Sequence, residues 1–154
     1  MSPSPRSSFT ETVQVVLPND ANPMGFALGG YVMHSIDLVA AIAAYRHTRG
    51  LLVTAAVDGL QFLHPVRVGD LIILHARVTA TFRTSLEVEV EVYSEETLTG
   101  ERTLTSVAYL TFVTIEQDGV RAEVPPLELE TDEDRRRAAE AVERRSVRLR
   151  MRRK

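Results

Sequence analysis

Residues 22–47, NPMGFALGGYVMHSIDLVAAIAAYRH, constrain the fold more than any other stretch of the chain. The segment begins as a loop, passes the pair Gly29-Gly30, and continues as about four helical turns that are apolar on nearly every side. A helix of that kind is usually wrapped by the rest of its protein. Asp37 lies in its middle, and no Lys or Arg stands three or four positions away to pair with it. A carboxylate in such surroundings costs free energy unless tertiary partners or a function compensate.

Asp37 and the pair Gly29-Gly30 each allow two interpretations. Asp37 is either a structural carboxylate bound by backbone amides, or a general base in a partly desolvated pocket, where burial raises its pKa. Gly29-Gly30 is either a flexible start to the helix, or a place where first-turn N–H groups bind a carbonyl oxygen that gains negative charge. Asn22 alone predicts only a turn.

The length and composition of the chain exclude several classes of protein. A chain of 154 residues is the size of one domain, and the absence of cysteine excludes disulfides and thiolate sites and fits a reducing cytosol. The first eleven residues, MSPSPRSSFTE, lack the apolar core of a signal peptide, and no stretch has the length and apolarity of a membrane span. We therefore expect a cytoplasmic protein without a membrane partner.

The remaining sequence predicts an antiparallel sheet. Alternating apolar residues predict strands over 9–17, 51–62, 71–82, 85–95 and 101–115, with a bulge at Gly59. In SLEVEVEVYSE (85–95), Glu87, Glu89 and Glu91 are expected on a solvated face. Connections this short require antiparallel pairing, so the fold class is α+β: a sheet curled round the apolar helix. A second helix is predicted over 131–148, with Thr131 as its N-cap.

The predicted domain organisation has three parts. Residues 1–8 are Ser/Pro-rich and expected to be disordered, residues 9–130 form the folded domain, and residues 131–154 form a basic C-terminal helix and tail. The formal charge is −8 over residues 1–130 and +5 over residues 131–154. The basic segment has no interleaved aromatics and no nucleic-acid motif, so we expect a solvated helix and no nucleic-acid partner.

Other catalytic and cofactor motifs are missing from the sequence. The histidines at 34, 47, 64 and 75 have no metal-pair spacing, and there is no G-x-S-x-G elbow, P-loop or dinucleotide fingerprint. We expect neither a metal nor a cofactor, and structural or surface roles for the histidines, with His34 kept as a pocket candidate. A water-activating carboxylate remains as the catalytic group.

Two motifs together carry a family resemblance. They are N-x2-G-x3-GG-x6-D, ending at Asp37, and F-x2-P-V-x-x-GD, from Phe62 to Asp70. On these residues, and on RTSLEVEVEV (83–92) and AYLTFVTIEQDG (108–119), the chain resembles the hotdog-fold acyl-CoA thioesterases. Within them it is most similar to the bacterial acyl-CoA hydrolases and the brain-type cytosolic enzyme.

The resemblance implies a role for each matching residue. Asp37 would activate water, Asn22 would orient the water or the thioester, and the Gly30 amide would polarise the carbonyl. Thr54 would reach the partner's site across a dimer interface. The CoA portion would be bound by the remaining matches: Gly29, Arg83, Thr84, Ser85, Arg144 and Arg145. Family members commonly have Gly where this chain has Phe82.

The resemblance also implies a homo-oligomer, in which dimers join their sheets and three dimers form a hexamer. The predicted function is hydrolysis of fatty acyl-CoA to free acid and CoA, a step of lipid metabolism, by carboxylate-assisted attack of water. Two alternatives are a non-catalytic acyl-CoA-binding protein, and an enoyl-thioester hydratase or dehydratase that would use His34.

Overall fold

A long helix packed on a five-stranded antiparallel sheet forms the core of the computed structural model, which describes residues 2–152. The strands are β1 (Thr10–Val15), β2 (Leu51–Phe62), β3 (Leu71–Thr81), β4 (Ser85–Glu95) and β5 (Arg102–Ile115). The helices are α1 (Pro5–Ser8), α2 (Gly29–Thr48) and α3 (Asp132–Met151). The α+β prediction is confirmed, and every predicted strand is present close to its predicted position.

Helix α2 carries the chain from one edge of the sheet to the other. The strand order is β1-β3-β4-β5-β2, so β1 and β2 form opposite edges although α2 alone separates them in sequence. A helix of 20 residues is about 30 Å long, whereas five strands span roughly 19 Å. The helix can therefore cross the whole sheet. Its buried stripe packs on the inward side chains of the strands, and the core includes Val32, Ile36, Val39, Ala43, Leu74, Val88, Val90, Leu110 and Phe112.

The helix is not wrapped on every side within one chain. Met33, Leu38 and Tyr45 are exposed, as is Asp37, so the prediction of a fully enclosed helix is wrong for a single molecule. The neighbouring edge strand β2 also exposes apolar side chains, which include Leu51, Val53 and Val57. A contiguous apolar surface of this kind is typical of an interaction site. We therefore expect a second molecule to pack on this surface of α2 and β2.

Strand β2 is irregular at two places. Its pairing with β5 shifts between Thr54 and Ala56 and again between Asp58 and Gln61. Gly59 lies in the second irregularity with φ +63°, a left-handed conformation that favours glycine, so the predicted bulge is confirmed. The two shifts bend β2 and change which of its side chains face α2.

The back face of the sheet, opposite α2, is partly covered by α3. Glu87 and Glu89 are only 2% and 9% exposed, so the prediction of a solvated face is wrong at these positions. Three arginines of α3 form ion pairs with sheet carboxylates: Arg137 with Glu89 (3.4 Å), Arg144 with Glu87 (2.8 Å) and Arg148 with Asp58 (2.8 Å). Burial raises the pKa of the Glu89 carboxyl, and Arg137 beside it acts in the opposite direction.

These arginines share one side of α3 with the buried Ala141, because their spacings of seven and four residues match the helical repeat. The expectation of a solvated basic helix is therefore wrong for this side of α3. The tail residues 153–154 lie outside the described residues.

The N-terminal segment differs from the prediction of disorder over residues 1–8. Pro5–Ser8 form the single turn α1, closed by a capping box between Ser4 and Ser7, and Met1 lies outside the described residues. Two contacts hold this turn to the segment before α3: Glu128 N–H donates to Pro3 O (2.9 Å), and Arg6 pairs with Glu130 (3.2 Å). The partners lie more than 120 positions away in sequence, which is why local composition does not reveal them.

We predict that the buried pair Arg144–Glu87 contributes strongly to stability. Arg144→Ala leaves the Glu87 carboxylate, 3% exposed in its side chain, without its cation, and such a loss costs about 3–5 kcal/mol. Urea unfolding measures the change. Arg136→Ala is the matched control, because its pairs with Glu133 and Glu140 are exposed, and it should destabilise the protein far less than Arg144→Ala. Equal costs for the two variants would contradict the burial of charge under α3.

Candidate active site

Asp37 and Thr54 are in direct contact. The Thr54 hydroxyl donates a hydrogen bond to Asp37 Oδ1 across 2.8 Å, joining the middle of α2 to β2 just before its first irregularity. This contact lies within one chain, whereas the resemblance implies that Thr54 reaches the partner's site. No cation lies within salt-bridge distance of Asp37 among residues 2–152. The carboxylate is thus oriented by a hydroxyl group and keeps its other oxygen free of a described donor.

A mostly apolar cavity of about 300 Å³ opens beside this pair. Its walls come from α2, from the irregular part of β2 and from β5, and its lining residues are Met33, His34, Ile36, Asp37, Thr54, Val57, Leu60 and Leu110. Ile36 and Leu110 belong to the buried core, so the cavity reaches between helix and sheet. Sequence reasoning missed Val57 and Leu60, because only the displaced pairing of β2 turns them toward this space.

Asn22 shapes the loop that precedes α2. Its side-chain oxygen accepts hydrogen bonds from the N–H groups of Met24 (3.0 Å) and Phe26 (3.1 Å). Gly25 completes this turn with φ +85°, a conformation that favours glycine. The oxygen of the Asn22 amide is therefore used within the loop, and its NH2 group is the part that remains to bind a ligand.

The start of α2 leaves its first amides uncapped by any side chain. Leu28 occupies the N-cap position without a side-chain hydrogen bond, and no acidic residue lies in the first turn. Gly29 and Gly30 are exposed, and a Cβ on Gly30 would meet no atom within 4 Å. Exposed N–H groups at a helix start carry a partial positive charge and suit an oxygen ligand. A second cavity, of about 350 Å³, lies beside Gly29 and is lined by Phe62 and His64.

The structure separates the site residues of one chain into two groups. Gly29 lies against Phe62 at the C-terminal end of β2. Asp37, eight residues later in α2 and about 12 Å along the helix axis, lies against Thr54 in the first half of that strand. Ser85 lies near Thr54, because Val53 and Ser85 both pair with Val113. Asp37, Thr54 and Ser85 therefore share one end of the sheet, and the helix start lies at the other.

The residues that the resemblance assigns to CoA binding differ in their exposure and in the contacts that they already make. Arg83 is exposed, Thr84 is buried, and Ser85 is half-buried. The Arg145 guanidinium lies over the ring of Phe82, 4.5 Å from its centroid. Arg144 donates to both oxygens of Glu87 and stacks on Tyr109. These contacts use two of the five guanidinium N–H groups of Arg144 and cover one face of the group.

The histidines have different surroundings. His47 is buried, its Nε2–H donates to Pro125 O across 2.7 Å, and burial lowers the pKa of its imidazole. His75 pairs with Glu11 on the back face, and His34 lines the cavity beside Asp37. Within the described residues, no three His, Asp or Glu side chains are grouped to hold a metal ion. No helix of residues 2–152 is long and apolar enough to cross a membrane.

Comparison with known proteins finds relatives that are named as thioesterases or thioester hydrolases. The family model described as thioesterase superfamily matches residues 24–101. A Bacillus subtilis protein named as an uncharacterized acyl-CoA thioester hydrolase is 37% identical over 85% of this chain and 79% of its own length. The human cytosolic acyl coenzyme A thioester hydrolase is 33% identical over 91% of this chain, which spans only 38% of that longer protein.

Two solved structures are also similar. A hexameric acyl-CoA thioesterase without ligand has a TM-score of 0.93 at 39% identity, covering 98% of this chain and 97% of that one. An acyl-CoA hydrolase from Staphylococcus aureus, in complex with butyryl coenzyme A and coenzyme A, has a TM-score of 0.88 at 32% identity, covering 96% and 92%. Variants of the latter replace an asparagine, an aspartate and a threonine by alanine, residues spaced 15 and then 17 positions apart.

The match to the family model, the identity to a relative of similar length and the close agreement of the folds all lead to the same assignment. The chain belongs to the thioesterase superfamily, among the hotdog-fold acyl-CoA thioester hydrolases.

Proposed function

We propose that this protein hydrolyses acyl-CoA to free acid and CoA, with Asp37 as the base that activates water. The observation that carries the proposal is the environment of Asp37: a carboxylate without a cation, oriented by Thr54, at an apolar cavity. Such a carboxylate is available to accept a proton, and the cavity suits an acyl chain. The Staphylococcus aureus relative supports this, because its three substituted residues have the spacing of Asn22, Asp37 and Thr54.

The site is built from two chains. The first-turn N–H groups of α2 point along its axis away from Asp37, and Gly30 lies seven residues before Asp37. A carbonyl oxygen bound at Gly30 lies a hydrogen-bond length beyond the helix start, more than about 13 Å from the Asp37 Cα, and still roughly 10 Å from the carboxylate even if that side chain reaches back toward it. A water that contacts both the carbonyl and Asp37 needs them within about 6 Å, two hydrogen-bond lengths. One chain does not meet this condition.

A twofold dimer brings the two groups together. If β2 pairs with β2 of a second chain in antiparallel orientation, the Phe62 end of one strand lies beside the Thr54 end of the other. The helix start and Asn22 of one chain then face Asp37 and Thr54 of its partner. The exposed apolar residues of α2 and β2 are the surface that such a dimer covers. Burial in the dimer would supply the desolvation of Asp37 that a single chain lacks.

The reaction follows from these positions. The Gly30 N–H of one chain polarises the thioester carbonyl, and the Asn22 NH2 group orients the water or the thioester. Asp37 of the other chain takes a proton from the water while the oxygen of that water bonds to the carbonyl carbon. The tetrahedral intermediate then collapses, the carbon–sulfur bond breaks, and the CoA thiolate leaves and is protonated. No covalent enzyme intermediate is required.

We assign the CoA portion to the end of the sheet where β4 begins. Arg83 is exposed there, and Arg145 is held nearby on Phe82. Guanidinium groups suit the phosphates of the nucleotide, while Gly29, Thr84 and Ser85 belong to the segments that we expect along the pantetheine arm. Arg144 contributes least to this proposal, because Glu87 and Tyr109 already contact its guanidinium.

The proposal also covers the oligomeric state and the cellular location of the protein. We propose a hexamer of three dimers that acts in lipid metabolism in the cytoplasm. A hexameric similar structure and a cytosolic human relative support these two points, and the lack of cysteine fits them.

One observation favours a second candidate function. His34 lines the same cavity as Asp37, and a histidine with a carboxylate is the pair expected for hydration of an enoyl thioester. Incubation with an enoyl-CoA separates the two functions, because hydration removes the conjugated absorbance without releasing a thiol. Thiol release without hydration supports hydrolysis, and binding without either reaction supports a non-catalytic acyl-CoA-binding protein.

We predict that Asp37→Asn lowers acyl-CoA hydrolysis by about 10²- to 10⁴-fold, the usual contribution of a general base. The amide keeps an oxygen for Thr54 and loses the ability to take a proton. Thiol-reagent detection of free CoA measures the rate. Asp118→Asn is the control, because that side chain only caps a turn through Val120 N–H. Wild-type turnover in Asp37→Asn would show that another group is the base.

We also predict that the Thr54 hydroxyl positions Asp37. Thr54→Val keeps the shape of the side chain and removes the donor, so kcat should fall by about 10- to 100-fold through misorientation of the carboxylate. Thr54→Ser retains the hydroxyl and should restore most of the rate. If Val and Ser variants have the same kcat, the 2.8 Å contact has no catalytic role.

A further inference from the structure

Two cavities lie in line along the seam between α2 and β2. The cavity beside Asp37 and Thr54, which we call the Asp37 cavity, extends to Leu60 and has a volume of about 300 Å³. The cavity beside Gly29 and Phe62, which we call the Gly29 cavity, has a volume of about 350 Å³. Helix and strand run in opposite directions here, so the two cavities follow one another along both elements.

The side chain of Leu60 separates the two cavities. It lines the Asp37 cavity, whereas Phe62, two residues later in β2, lines the Gly29 cavity. On β5, Leu110 lines the first cavity and Ser106 the second, and Ala108 lies between them. Because the pairing of β2 with β5 is displaced, Leu60 is one of two residues that stand opposite Ala108. Leu60 is partly buried against the main core, and beside so small a residue its side chain fills the space between the cavities.

We infer that Leu60 sets the longest acyl chain that this protein hydrolyses, because it closes the Asp37 cavity at the end toward the Gly29 cavity. The inference rests on the proposed function, in which the Asp37 cavity receives the acyl chain. A methylene group occupies close to the volume of a water molecule, so a cavity of about 300 Å³ holds at most about ten carbons. Acyl groups of short and medium length are therefore the substrate class, and a palmitoyl chain is too long for the cavity.

In the proposed dimer, an acyl chain that passed Leu60 would enter part of the other active site. The Asp37 cavity of one chain serves the site that contains the Gly30 amide of its partner. The Gly29 cavity of the same chain lies at its own helix start, which serves the second site. Leu60 therefore stands between the acyl chain of one site and the carbonyl-binding amides of the other.

The other walls of the Asp37 cavity limit its width and depth. Ile36 and Leu110 are 1% and 0% exposed and form its floor, as part of the main core. Met33 and Val57 lie on the exposed surface of α2 and β2 that the proposed dimer covers. Leu60 is thus the lining residue whose truncation lengthens the cavity without removing a fully buried side chain.

The experiment compares kcat/KM for octanoyl-CoA and palmitoyl-CoA in the wild type and in Leu60→Ala, with release of CoA as the signal. We expect the wild type to favour octanoyl-CoA by about 10-fold or more, because methylene groups without room in an apolar pocket weaken binding of the transition state. In Leu60→Ala this preference should fall by about 10-fold, through faster hydrolysis of palmitoyl-CoA. Leu60→Val should give a smaller change in the same direction, and it decides the result if Leu60→Ala does not fold.

Leu127→Ala is the matched control, because Leu127 is also partly buried against the main core but lines neither cavity. Its preference between the two substrates should equal that of the wild type. Three results would overturn the inference: equal hydrolysis of both substrates by the wild type, an unchanged preference in the folded Leu60 variants, or the same change of preference in Leu127→Ala.

Binding of alkyl-CoA thioethers, which have no carbonyl to attack, separates this inference from the proposed function. Titration calorimetry should show tighter binding of octyl-CoA than of hexadecyl-CoA by the wild type, and loss of that difference in Leu60→Ala. If no acyl-CoA is hydrolysed, the proposed function is rejected, and the thioether affinities still decide whether Leu60 limits the chain.

Discussion

The rigidity of α2 is the constraint on which the rest of the proposed site depends. The helix fixes Gly30 and Asp37 two turns apart, and its first amides point away from the carboxylate. Because the same helix carries the chain across the sheet, the glycine-rich start lies against Phe62 and Asp37 lies against Thr54. In the proposed site, one chain therefore holds the two halves apart, and a twofold partner would bring them together without any change of fold.

The two faces of the sheet pack against different parts of the chain. The face toward α2 is apolar and holds the core, and the displaced pairing of β2 opens the cavity beside Asp37. The back face is divided: α3 covers one half through arginine–carboxylate pairs, while the other half exposes apolar side chains of β1 such as Val13 and Val15. Arg148 pairs with Asp58 between the two irregular positions of β2. The C-terminal helix thus contacts the strand that forms the site, from the side opposite the cavity.

Much of this fold follows from the sequence because its periodicities are unambiguous. The alternation of Leu86, Val88, Val90 and Val92 identified β4, and the apolar run after Gly30 identified α2. The alternation could not tell whether Glu87 and Glu89 face water or a covering helix, since buried glutamates and exposed ones have the same spacing. The arginine spacing on α3 was the available signal, because residues 137, 144 and 148 share one helical side.

The sequence predicted the candidate site less completely than the fold. The family resemblance brought Asn22, Gly30, Asp37 and Thr54 forward, but it did not imply the contact of Thr54 with Asp37 within one chain. The Asp37–Thr54 contact and the loop role of the Asn22 oxygen required coordinates. The exposure of Asp37 also differs from the expectation of burial. The surface of α2 and β2 that we propose for the dimer is exposed in a single chain, and Asp37 is part of it.

Mixing two inactive variants tests the shared site most directly. Asn22→Asp keeps the oxygen that binds Met24 and Phe26 N–H and removes the NH2 donor, whereas Asp37→Asn removes the base. In a dimer of one variant with the other, one site contains both mutations and the second contains neither. After dissociation and random reassociation, hydrolysis should therefore return to about a quarter of the wild-type rate. A mixture that stays as inactive as its separate components, with mixed dimers present, would show that each site lies within one chain and would contradict the account.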